Sequence, residues 1–90
     1  MKDGDHRISN VSDLQIFARV ARVGNMSAAG RLMGLMPAVV SKRISLLEEQ
    51  IGARLFQRTT RQLTLTDVGE GLFKRAVDIL ALIDEAEDFV

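Results

Sequence analysis

Apolar and polar positions follow the period of a helix along most of this chain. Leu14, Phe17, Ala18 and Ala21, with Val20, recur at helical spacing and predict a first helix. Ser12 is suited to cap it, and Gln15 three residues later completes a capping box. Gly24 stops it. Asn25 is the next cap, and residues 26–33 carry Ala28, Ala29, Leu32 and Met33 on one apolar face. Gly34 ends that short segment. Pro37 suits the first turn of a third helix, where its missing N–H costs nothing. The third helix runs through Val40, Ile44, Leu47 and Ile51 and stops at Gly52.

The pattern changes over residues 55–65, where β-branched and polar residues alternate. Phe56, Leu63 and Leu65 can face inward from a small two-stranded hairpin with Thr59 to Gln62 at its tip. Thr66 then caps a long final helix. Val68, Leu72, Ala76, Ile79, Ile83, Ala86 and Val90 form one apolar stripe along it, and Phe73, Val77 and Leu80 form a second beside it. A helix that packs only at home needs one stripe. Two stripes predict one face against the chain's own core and the other against a partner, with Leu72, Ile79, Ile83 and Ala86 in the seam of a homodimer. The alternative is one broad face buried within the monomer.

With 90 residues the chain makes one small domain, and 47% apolar residues suffice for its core. There are no cysteines and one histidine, which excludes disulfides, thiolate zinc sites and cysteine nucleophiles. No Ser/His/Asp set, paired catalytic carboxylates or phosphate-cradling glycine loop is present, so no enzyme chemistry, cofactor or metal is expected. The polar first ten residues do not read as a signal peptide, and the longest uncharged stretch, Leu32 to Ser41, is too short to span a bilayer. A cytoplasmic protein without a membrane partner is expected.

The formal net charge of zero conceals two opposed blocks. Residues 1–65 hold ten Lys/Arg against five acids, and residues 66–90 hold two against seven. A basic body with an acidic final helix can present a basic face to a polyanion, although an unevenly charged solvated surface would show the same arithmetic.

The second and third helices fit the demands of a helix-turn-helix unit. The first of the pair must be small where the other crosses it, as Ala29 and Gly30 are, and Gly34 tolerates the left-handed backbone of the turn. Val40, Ile44 and Leu47 bury one side of the third helix. Ala38, Ser41, Lys42 and Ser45 lie elsewhere and are small or polar, which lets a backbone approach base edges.

Residues 14–69 resemble the N-terminal DNA-binding domain of LysR-type transcriptional regulators. The resemblance rests on LQIFARVARVGNMSAAGRLMG, then PAVVSKRISLLEEQIGARLFQR, then LTLTDVG. It implies an all-α fold with a small β wing, a winged helix-turn-helix followed by a linker helix that pairs to make a dimer. The motif would span residues 26–45 within a domain over 9–66, the linker helix would span 67–90, and 1–8 would be a flexible tail. The partner implied is double-stranded DNA, with the third helix in the major groove and the wing along the backbone or minor groove. Pro37, Ala38, Ser41 and Lys42 fall where the family approaches bases and nearby phosphates. Arg58, Thr60 and Arg61 fall in the wing region. Asn25 and Ser27 stand at a helix start, where unpaired N–H groups suit a phosphate.

The sequence departs from the family's pattern at three places. The family usually has Ser or Thr where Met36 stands, so a side-chain cap is lost. It often has a second alanine at Gly30, where either residue is expected to be small enough. It often has Gln near Arg43, so no base preference carries over. The family's large C-terminal effector-binding domain is absent from the sequence, and a small-molecule effector would act only through that domain. Elsewhere the plainer readings stand. His6 lies in the polar tail, Met26 and Met33 belong to the core, and Asp84, Glu85, Glu87 and Asp88 make a solvated helix face. Arg54 is expected to pair with Glu48 or Glu49, and Arg58 to meet a phosphate. The competing class is a helical dimerisation or protein-interaction module without affinity for DNA.

Overall fold

The computed structural model describes residues 6–58 and 62–90. The order is α1 (Val11–Val23), α2 (Met26–Met33), α3 (Pro37–Ile51), β1 (Phe56–Arg58), β2 (Leu63–Leu65) and α4 (Asp67–Phe89). Local chemistry accounts for most of the boundaries. Gly24, Gly34 and Gly52 each adopt a left-handed backbone, with φ of 78°, 70° and 74°, and end α1, α2 and α3. Asn25 Oδ1 accepts from the Ala28 N–H at 2.9 Å and Thr66 Oγ1 accepts from the Gly69 N–H at 3.0 Å, so both caps form where expected.

The start of α1 differs from expectation. Asn10, not Ser12, is the cap: its Oδ1 accepts from the Ser12 N–H at 2.8 Å. Ser12 therefore lies inside the helix, and no capping box forms with Gln15. Two residues of cap-forming type stand two positions apart, and the earlier one wins because it lets α1 begin two residues sooner. Ile8 is half-buried against the core, so packing begins ahead of residue 9. Ser9 Oγ also accepts from Gln50 Nε2 of α3 at 3.2 Å.

α1 lies against α2, α3 and α4, and the core collects between them. Leu14, Phe17, Ala18 and Val20 of α1 meet Ala29 of α2, Val40, Ile44 and Leu47 of α3, and Ala76 of α4. Leu55 and Phe56 close this core from the wing side. The Phe17 and Phe56 rings are 5.6 Å apart and tilted by 59°, within the favourable range for an aromatic pair. The Arg22 guanidinium lies 5.9 Å from the centre of the Phe73 ring and adds a link from α1 to α4.

The strands pair antiparallel, with Phe56 opposite Leu65 and Arg58 opposite Leu63. Phe56 is buried while Leu63 and Leu65 are half-buried against the core, the inward set expected. Thr59, Thr60 and Arg61 of the anticipated tip lie outside the described residues.

Two glycines sit where a backbone passes closely. A methyl at Gly69 would overlap the Leu55 carbonyl oxygen and lie 3.0 Å from Leu65 Cδ2, so α4 reaches the base of the wing only through a glycine. A methyl at Gly30 would lie 2.7 Å from the Leu35 carbonyl oxygen and 3.3 Å from Val40 Cγ2. An alanine there is therefore not equivalent, because Leu35 would have to move.

Met36 stands at the cap position of α3 and accepts no amide with its side chain. It is 72% exposed, so little packing would be lost on replacing it. Met36→Ser is expected to raise stability by about 0.5–2 kcal/mol, the usual worth of such a cap. Chemical denaturation checks this, and an unchanged or lower midpoint would contradict it.

Candidate nucleic-acid interface

α3 separates its two sides cleanly. Val40, Ile44 and Leu47 are fully buried against α1 and α2. Ala38, Lys42 and Ser45 are exposed and Ser41 half-exposed. Positions 38, 41, 42 and 45 follow three- and four-residue spacing, so they share one face. Only Lys42 among them is long or charged. The result is a ridge of short side chains carrying a single cation. Pro37 and Met36 are exposed at its N-terminal end.

α2 and its cap carry two further candidate residues. Asn25 and Ser27 are both exposed at its start. The Asn25 side-chain oxygen is engaged with Ala28, so its first role is to hold the helix end. β1 ends at Arg58, which is exposed. Thr60 and Arg61, the remaining wing candidates, lie outside the described residues.

Two carboxylates that fix α3 are buried, which was expected of neither Asp13 nor Glu48. Asp13 in the first turn of α1 is 2% exposed, and its Oδ1 faces Arg43 Nε at 3.5 Å. Arg43, on the flank of α3 turned to α1, is thus engaged within the fold. Glu48 is 8% exposed and accepts the Leu55 N–H at 2.8 Å. Arg54 Nε lies 3.6 Å from the same Glu48 oxygen, as one of its two expected pairings foresaw. Both carboxylates fall in or beside the apolar stripes of their helices. That placement was the available signal, since a buried carboxylate must find a partner.

α4 divides differently from the two stripes expected. Leu72, Phe73, Ala76 and Leu80 pack on the chain's own core. Ile79 is 39% exposed, Ile83 half-buried and Ala86 exposed. Leu82, 63% exposed, adds to the apolar side that the chain itself leaves open. Leu72, taken for the seam, is thus already half-buried at home.

The description "Bacterial regulatory helix-turn-helix protein, lysR family" matches residues 11–70. The chain belongs to the LysR family. It is 41% identical over 75 residues to the transcriptional regulator YofA of Bacillus subtilis, covering 83% of this chain and 26% of that protein. It is 40% identical over 82 residues to the regulator DmlR of Escherichia coli, covering 87% of this chain and 27% of that one. The chain thus spans about a quarter of the length of these LysR-type relatives. Among solved structures, CbnR DBD in complex with DNA superimposes with a TM-score of 0.84 at 29% identity, covering 89% of this chain and 92% of that one. Vibrio fischeri DarR in complex with DNA gives a TM-score of 0.83 at 29% identity, over 89% of this chain and 27% of that one. The winged helix-turn-helix followed by a long helix is therefore the fold of LysR DNA-binding domains.

Among the described residues no cluster of His, Cys, Asp or Glu is arranged to hold a metal ion, and no helix is long and apolar enough to cross a membrane. The relatives compared above are named as regulators, in line with a role other than catalysis.

Proposed function

We propose that the chain is the sequence-specific DNA-binding part of a cytoplasmic transcriptional regulator. It acts as a homodimer on a pseudo-palindromic site. α3 enters the major groove, where Ala38 and Ser41 allow close approach and Lys42 reaches a base acceptor. Pro37, Asn25 and Ser27 line the neighbouring phosphates, and Arg58, Thr60 and Arg61 of the wing meet the backbone. Occupancy by the bound dimer then helps or blocks polymerase. A small-molecule effector would act through a separate domain outside this sequence.

The observation that carries this reading is the exposed face of α3. A surface helix that only meets water favours long charged side chains. This one offers small residues and one lysine, opposite a fully buried stripe. Such a face suits a groove whose floor carries acceptors and methyl groups.

The test separates the helix from the wing. Lys42→Ala is expected to weaken a selected duplex by about 1–3 kcal/mol more than a mixed-sequence one. Arg58→Ala is expected to weaken both alike and to flatten the dependence of log K on log salt by about one unit. Titrations of both duplexes at several salt concentrations check this. Equal losses on the two duplexes for Lys42→Ala would reduce it to a phosphate anchor. No retention of duplex by the unaltered chain at low salt would leave a dimerisation module.

A further inference from the structure

One carboxylate ties the end of α3 to the base of the wing. Glu48 lies a turn before the end of α3, on the same side as Val40, Ile44 and Leu47. Its Oε2 accepts from the Leu55 N–H at 2.8 Å and more distantly from the Phe56 N–H at 3.4 Å, with Arg54 Nε at 3.6 Å. Its main-chain carbonyl accepts from the N–H groups of Gly52 at 2.9 Å and Ala53 at 3.2 Å. A single residue therefore holds the connection from α3 to β1 through both main chain and side chain.

The opposite side of that connection is held by the start of α4. Thr66 Oγ1 donates to the Arg54 carbonyl at 2.7 Å, and the Thr66 N–H donates to the Leu55 carbonyl at 3.0 Å. Phe56, the second amide on Glu48, is also the first residue of β1.

A nearly buried carboxylate carries a desolvation cost that an apolar residue in the same stripe would avoid. Helix packing alone does not call for it. What it supplies is direction. Amides of consecutive residues converging on one charged oxygen fix the heading of the chain as it leaves α3. That heading sets where Arg58 stands relative to Lys42 and Ser45.

We propose that Glu48 is a positioning residue for DNA binding. It aligns the wing with α3, so that the groove contact and the backbone contact come from one preset surface. This rests on the DNA-binding reading above.

The test is a double-mutant cycle on this 90-residue chain, titrated against a mixed-sequence duplex. Glu48→Ala removes the acceptor, and Glu48→Gln keeps an oxygen for the Leu55 N–H but loses the charge. Both are expected to keep the helical spectrum, with faster amide exchange at Leu55 and Phe56. Affinity is expected to fall about tenfold in Glu48→Ala and less in Glu48→Gln. In an Arg58→Ala background the Glu48→Ala loss should shrink, because one of the wing contacts it aligns is already gone. In a Lys42→Ala background it should persist.

Equal losses in all backgrounds, unchanged affinity, or a lost helical spectrum in both Glu48 variants would each overturn the proposal. If the unaltered chain retains no duplex, the DNA-binding reading fails and this proposal with it. If it retains duplex and the Glu48 variants bind as it does, only the proposal fails.

Discussion

Phe56→Ala is expected to remove about 3–5 kcal/mol of stability, the range for deleting a buried aromatic side chain. Phe56 is 2% exposed and lies against Phe17, which is fully buried. Truncation leaves a cavity beside Phe17 and also loosens the wing on the helical core, since Phe56 is where β1 begins. A small domain commonly has only about 5–15 kcal/mol in all. The variant should therefore melt more than about 10 °C lower than the parent. Thermal melting followed by circular dichroism checks this. A loss below about 1 kcal/mol would place Phe56 outside the core, because a truncated buried ring cannot cost so little. Phe56→Leu should recover much of the loss, because it refills most of the cavity.

The second large effect concerns assembly. Ile79→Asp combined with Ile83→Asp is expected to give a monomer in sedimentation. It should weaken a selected palindromic duplex by about a thousandfold or more, toward the non-specific level. Ile79 and Ile83 lie on the side of α4 that the chain's own core leaves open, with Ala86 and Leu82. Leaving such a patch wet is costly, and covering it with the same patch of a second copy is the simplest closed arrangement. Two carboxylates in that seam would be desolvated and would face their own symmetry mates. Neither residue belongs to the buried core, so the helical spectrum should survive. A double variant that stays dimeric, or a parent that is monomeric at high micromolar concentration, would contradict the seam.

The legible parts of this fold were those dictated by short-range chemistry. Gly24, Gly34 and Gly52 end helices because each takes a left-handed backbone that other residues avoid. Asn25 and Thr66 start helices because their side chains accept first-turn amides, and Pro37 because its ring presets the backbone and it has no N–H to satisfy. Where two residues competed for one role, local chemistry could not choose. Asn10 took the cap from Ser12, and Leu72 went to the chain's own core although its spacing also fitted the outer stripe. The site was legible as a face, since Ala38, Ser41, Lys42 and Ser45 follow from helical geometry. What holds that face in position was not legible. The partners of Asp13 and Glu48 come from elsewhere in the chain, and the stretch separating Asp13 from Arg43 says nothing about their meeting. Gly69 is similar. Its need for a bare backbone comes from Leu55, across the wing.

Whether α3 reads DNA is decided by selecting bound duplexes from a random pool. Enrichment of a pseudo-palindrome is expected, with half-sites about one helical turn, or a multiple of it, apart. Retention should fall steeply with salt, and Lys42→Ala should blur the enriched sequence. A pool that emerges unchanged, or one whose enriched sequence is indifferent to Lys42→Ala and to the other residues of that face, would contradict reading by α3.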